Sequence, residues 1–257
     1  MLQIRHAIFV AAGVCLSFTL AVAGCGQAGP ATSPETTATA GADPTDDRGD
    51  AKAALAAAID KSQEGSARVT FTMLSPSGSK TVTHVDFDPG TQRVSTDSWS
   101  EHTGETMYIL LVEQDLYLRS NSGPLPHVWL HTDRAELPPG SSIHAMAEGD
   151  MIGAADLMRA VTAVEWTGDT EITGTVDLTR WSPALLPELG DAMLASPLKA
   201  DLDKEGRLTH LSLGDSDLNP ELPVLALQYR RFGQPVTILP PTDAVSMPDT
   251  MVAALGN

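Results

Sequence analysis

The chain has 257 residues, with 33 acidic against 16 basic side chains and a formal net charge of −17. A surface of that sign repels phosphate backbones and lacks the clustered Lys and Arg that grip them, which argues against a nucleic-acid partner. It equally argues against a direct electrostatic hold on anionic lipid.

Residues Met1 to His6 carry one positive charge, on Arg5, and the run Ala7 to Ala23 has no charged side chain. That is the layout of an export signal. The run contains Gly13, Ser17 and Thr19 and ends in small residues rather than a basic flank, which favours cleavage over retention as a membrane span. The sequence Val22-Ala23-Gly24-Cys25 resembles the bacterial lipobox: an aliphatic residue, two small ones, then cysteine. Small side chains fit beside a scissile bond, and a thiolate is the nucleophile that can become a diacylglyceryl thioether. Residues 1–24 are therefore expected to be a signal peptide and Cys25 the lipid attachment point, a palmitate-type anchor to the membrane.

Cysteine usage agrees with this reading. The chain has two, Cys15 within the signal and Cys25 at the attachment point, so the mature protein has no pair for an internal disulfide. Its charge would be 15 minus 33, about −18. Two or more acyl chains on Cys25 hold firmly, at about 0.8 kcal/mol per buried CH₂.

From Gly26 to Asp47 the chain is rich in Pro, Thr, Ala and Gly and almost free of large apolar side chains. It cannot build a core, and residues 25–49 are expected to form the lipidated cysteine and a disordered stalk. One domain follows, over residues 50–248, with 249–257 as a C-terminal tail. In it, Asp50 to Gln63 reads as a helix, with Ala54, Leu55, Ala58 and Ile59 three and four apart and Asp50 as N-cap. Period-two segments broken by turn residues come next, the pattern of antiparallel strands: Ala67–Leu74, Lys80–Phe87, Gln92–Trp99, Thr106–Val112, Leu116–Arg119 and His127–His131. Thr106–Val112 is apolar on both sides and is expected to be covered on both faces.

A second helical region is expected between Asp150 and Val164, strand between Glu165 and Leu178, and a short helix around Leu185, Leu189 and Met193. Leu198–Leu202 and Arg207–Leu213 flank Asp203-Lys204-Glu205-Gly206, a hairpin signal. The last strands expected are Val224–Arg231 and Val236–Leu239.

No Gly-x-Ser-x-Gly elbow, His-Glu-x-x-His helix or phosphate loop occurs. Asp201-x-Asp203-x-Glu205-Gly206 imitates the start of a calcium loop, but position twelve is Ser212 instead of a bidentate Glu, which leaves a hairpin turn. Ser77-Gly78-Ser79-Lys80 has Ser-x-x-Lys spacing in a turn rather than at a helix start. His127 and His131, on one strand, would stand about 13 Å apart, too far for one metal. Expectations are therefore no catalytic residues, no metal and no cofactor.

The order of parts (lipobox, stalk, helix, strand meander, helix pair, more strands) resembles the LppX and LprG type of mycobacterial envelope lipoprotein, whose half-barrel is shared by the LolA and LolB carriers. Local matches are Val128-Trp129-Leu130, the hairpin Leu202 to Leu208, and the stretch Tyr229 to Ile238. The resemblance spans about Ala51 to Pro248, and the chain looks short between Trp166 and Trp181. It implies an α+β fold, a curved antiparallel half-barrel sheet wrapped around helices, with an apolar cavity for the acyl chains of a lipid or glycolipid. The implied role is a non-enzymatic, monomeric carrier on the outer face of the cytoplasmic membrane, with a membrane transporter as partner. Lining candidates are Val69, Phe71, Met73, Ile109, Leu111, Leu116, Leu118, Leu157, Val161, Leu202, Leu211 and Leu213. Each also reads as a plain core residue. The rival function is an interaction or sensory lipoprotein with a solid core that docks a membrane partner.

Overall fold

A computed structural model describes residues 49–74, 79–138, 141–147, 149–181, 195–214 and 224–255. The expected signal peptide, Cys25, nearly all of the expected stalk and the helix expected around Leu185, Leu189 and Met193 lie outside the described residues.

The first helix, α1 (Ala51–Gln63), follows its periodicity. The Asp50 carboxylate accepts the Ala53 N–H at 2.7 Å, and Leu55, Ala58 and Ile59 are buried. Twelve strands follow: β1 (Ala67–Leu74), β2 (Lys80–Asp88), β3 (Arg93–Ser100), β4 (Thr106–Val112), β5 (Asp115–Ser120), β6 (Leu130–Asp133), β7 (Val161–Trp166), β8 (Glu171–Val176), β9 (Ser196–Leu202), β10 (Leu208–Leu213), β11 (Val224–Arg230) and β12 (Val245–Ser246). The short helices are α2 (Ser142–Ala147), α3 (Ala154–Ala160), α4 (Leu178–Trp181) and α5 (Asp249–Ala254).

The strands form one sheet in the order β12-β6-β5-β4-β3-β2-β1-β11-β10-β9-β8-β7. Every pairing is antiparallel except β12 with β6. The outer strands β12 and β7 are not paired to each other, so the sheet is an open half-barrel rather than a closed one. It wraps the helices: α1 packs on both β7 and β10, three strands apart, and α2 packs on β3. This is the expected α+β class.

One face of the sheet supplies the core. Across the register Val69 meets Val85 and Tyr229, and the same row continues to Ile109, Leu118 and Leu130. These side chains join Leu55 and Ile59 of α1, Ile143 of α2 and Leu157 of α3 in a single cluster. Fully burying one such aliphatic side chain stabilises the fold by roughly 1.5–3 kcal/mol.

Five expectations need correction. Val236–Leu239 is not a strand; Pro235, Pro240 and Pro241 surround it, and the Ile238 carbonyl instead accepts from Arg93 at 3.0 Å. The edge beside β6 is taken by β12. The helix ends at Ala160, and Val161 already belongs to β7, which forms a hairpin with β8 across a register shift. Leu178 is in α4, not in a strand. His127 and Trp129 precede β6, and His127 has a φ of 64°, so the two histidines do not share a strand. Within the stretch expected as a C-terminal tail, Asp249–Ala254 form α5, and Val252 is buried in the core.

Candidate functional site

The sequence-derived lining residues fall into two groups. Val69, Ile109, Leu111, Leu116, Leu118, Leu157, Val161, Leu211 and Leu213 are buried in the core cluster. Phe71, Met73 and Leu202 are half-buried. The difference follows position along the strands, because side chains alternate faces and the inner face of β1 reads Ala67, Val69, Phe71, Met73. Ala67 and Val69 are covered, whereas Phe71 and Met73 approach the end of the sheet that is more open.

Cross-strand partners repeat this gradient. Phe71 stands beside Leu227, Leu211, Ala200 and Ile172 on one side, and Thr83, Ser98 and Met107 on the other. The next row runs Met73, Leu225, Leu213, Leu198, Gly174, Val164. Met73, Leu225, Met107 and Val164 in these rows are half-buried. Sequence reasoning missed Met107, Val164, Leu198 and Leu225, because their grouping depends on which strands pair, β1 with β11 above all.

A cleft of about 750 Å³ lies along β7 to β10 on the opposite, outer face of the sheet, bordered by Glu165, Thr173, Thr175, Pro197, Lys199 and Ser212 among others. Its volume lies in the usual ligand range of about 300–1,000 Å³. None of the twelve expected lining residues borders it, although Leu213 sits between two residues that do. Glu165, Thr173 and Lys199 are polar members of its lining. Lys199 pairs with Glu171 at 2.7 Å. The hydrogen bond from Lys199, then one from Thr167, holds the Glu171 carboxyl below its ordinary value, and the same contact with Glu171 raises Lys199.

Tyr229 lies deeper on the inner face, beside Val69, and stacks on Phe232 with centroids 6.2 Å apart. Its buried hydroxyl has no hydrogen-bond partner among the described residues. Burial, and secondarily the Asp150 carboxylate, push its pKa well above that of an ordinary phenol.

The place where the chain reaches the domain is fixed. Trp166 Nε1 donates to the Gly49 carbonyl at 3.2 Å, and Lys52 Nζ donates to the Val161 carbonyl at 2.9 Å. Both contacts set the start of α1 against β7, the strand that carries Val164. At its other end α1 is pinned to β10 through Ser62.

No group of three His, Cys, Asp or Glu able to hold a metal occurs among the described residues, and no helix there is long and apolar enough to cross a membrane. Asp201 and His210 face each other at 3.3 Å across β9 and β10. Asp203 turns inward on its own hairpin, where it takes the Arg207 guanidinium and the N–H groups of Glu205 and Arg207. The calcium-like spacing is thus consumed by turn formation.

The sheet and helices define an open α+β half-barrel with an aliphatic inner face. No protein-family model matches the chain, and no curated protein matches it. Among solved structures the chain is similar to a LolA superfamily protein from Nitrosomonas europaea at 12% identity, over 77% of this chain and 96% of that one, with a TM-score of 0.24.

Proposed function

We propose that this protein is an envelope lipoprotein of the LppX and LprG kind that binds acyl chains of a lipid or glycolipid at the inner face of its half-barrel. The observation that carries the reading is the half-buried apolar group Phe71, Met73, Met107, Leu225 and Val164, which carries the aliphatic inner face out from the core to the more open end of the sheet. Transfer of one sixteen-carbon chain out of water is worth on the order of 12 kcal/mol at 0.8 per CH₂. A protein surface as apolar as the bilayer interior cancels most of that cost, so carriage needs no catalytic group. The Tyr229 hydroxyl supplies a donor for a polar atom that reaches the interior.

In this proposal residues 1–24 are removed, Cys25 carries the lipid anchor, and the monomer works at the outer face of the cytoplasmic membrane with a membrane transporter as partner. The chain from Gly26 to Arg48, as a flexible coil, has a root-mean-square reach of roughly 25 Å. It joins the domain beside β7, so the tether and the apolar row share one edge of the sheet.

A second reading, a solid-cored lipoprotein that docks a membrane partner, is favoured by the complete burial of Val69, Leu116, Leu157, Leu211 and Leu213 in one cluster. Titration of the full-length protein with a fluorescent fatty acid separates the two. The carrier binds saturably at about one per chain and is displaced by unlabelled lipid, whereas the docking protein leaves the probe unbound.

A further inference from the structure

The outer face of the sheet carries a second constellation, away from the apolar row. Register places Thr70, His84, Asp97, Tyr108 and Arg119 in one line across β1 to β5. Trp129, just before β6, continues it. The Arg119 guanidinium carbon stands 4.6 Å from the Tyr108 ring centre and 4.7 Å from that of Trp129. Those two rings are 6.4 Å apart and meet edge to face, so they form a V with the cation across its mouth.

The V fixes the guanidinium by its attraction to both ring faces. It spends none of the N–H donors, which form a planar fork suited to two oxygens of one anion. Among the described residues no carboxylate pairs with Arg119, whereas Arg68, Arg93, Arg159, Arg180 and Arg207 each have one. Asp97, the acid on the same line, is two strands away with Tyr108 between. Asp115 is engaged by His131 at 2.6 Å.

Sequence agrees with geometry. From Leu116 to Thr132 the chain has no acidic residue and one charge, Arg119, in a protein with 33 Asp and Glu. The same stretch exposes Leu125, at 39%. An unspent cation between two aromatic rings, with its acid neighbour Asp97 on the far side of Tyr108, is arranged to receive an anion whose neighbouring atoms are apolar.

We propose that Tyr108, Arg119 and Trp129 form a recognition site for an organic oxyanion: a carboxylate or phosphate attached to a ring or other apolar frame. The oxyanion takes the Arg119 fork, and the frame lies against Trp129 and Tyr108. The site is on the opposite face from the acyl-chain row and stands or falls independently of it.

The test is a titration of the full-length protein, nitrogen-15 labelled, followed at the Arg119 Nε–H and Trp129 indole resonances, with Trp99 as internal control. The probes are benzoate, phenyl phosphate, acetate and benzyl alcohol. The expected result is saturable movement of Arg119 and Trp129, with benzoate or phenyl phosphate at least about tenfold tighter than acetate and benzyl alcohol. The tighter of the two ring-bearing anions identifies the oxyanion. Arg119→Lys, which keeps the charge and loses the fork, weakens binding about tenfold, and Arg119→Gln abolishes it. Equal response to acetate and benzoate, a response surviving in Arg119→Gln, or no saturable movement with any probe overturns the proposal.

Discussion

Ser62 and Leu208 hold the helix to the sheet at one point. The Ser62 hydroxyl accepts the Leu208 N–H at 2.7 Å, and its own proton lies between the carbonyls of Ala58, at 2.6 Å, and Leu208, at 3.2 Å. The residue is buried at the last turn of α1, where a hydroxyl bonding back to the preceding turn is otherwise neutral. Removal of the hydroxyl leaves the Leu208 N–H buried and unpaired. Ser62→Ala is therefore expected to lower stability by about 1–3 kcal/mol, read from urea unfolding monitored by circular dichroism. An unchanged midpoint contradicts this account of the contact.

Gly174 is required by a close approach of strands. A Cβ built there meets the Ala163 carbonyl oxygen, and stands 2.6 Å from Val164 Cγ1 and 2.9 Å from Val164 Cα. Two of these atoms are backbone and cannot swing away, so β7 must separate from β8. Gly174→Ala is expected to cost about 1–3 kcal/mol and to increase hydrogen exchange in β7. Gly206→Ala meets nothing within 4 Å and pays only for its φ of 75°, so its hairpin should stay closed.

Acid lability is expected at the β9–β10 hairpin. Burial pushes the Asp203 carboxyl up, but the backbone N–H and guanidinium of Arg207 and the Glu205 N–H outweigh it and hold the group below its ordinary value. A carboxyl depressed in the folded state contributes stability that is fully present above its unfolded pKa of about 4 and is lost as pH falls through the lower folded value. Wild type should lose midpoint stability below about pH 4, and Asp203→Asn should be less stable at neutral pH with a flatter acid limb. Parallel acid limbs for the two proteins would count against the role assigned to Asp203.

Core and apolar row separate by substitution. Leu111→Ala, at a buried site, is expected to cost about 2–5 kcal/mol. Met73→Trp, at the half-buried end, should leave the unfolding midpoint nearly unchanged while it fills the row and reduces fatty-acid binding. If Met73→Trp binds the probe as well as wild type, the row is not where acyl chains sit.

Much of this architecture was legible from local pattern. The α1 stripe, the Asp50 cap, the alternation of β1 and the turn at Asp203 to Gly206 are set by residues close in sequence, and they appear where periodicity and turn chemistry place them. What was not legible depends on partners far apart. That β1 pairs with β11 gives the Met73 and Leu225 row its existence, and no window of sequence contains both. The spacing of Val161 from Leu157 fits a helix, yet pairing with Val176 places it in β7. Val236 to Leu239 has strand-forming side chains, but the flanking prolines supply no N–H for a ladder. The Tyr108, Arg119 and Trp129 corner is not visible in sequence, because the pattern from His127 to His131 places Trp129 inside a strand and only the register of β4 and β5 sets Tyr108 beside Arg119.

The most direct measurement is native mass spectrometry of the full-length protein, purified gently from its own host. The account predicts a protein-bound mass beyond the covalent anchor, released as a lipid or glycolipid on activation and diminished in Met73→Trp. A spectrum that shows the anchored protein alone, before and after incubation with host lipid extract, would contradict acyl-chain binding.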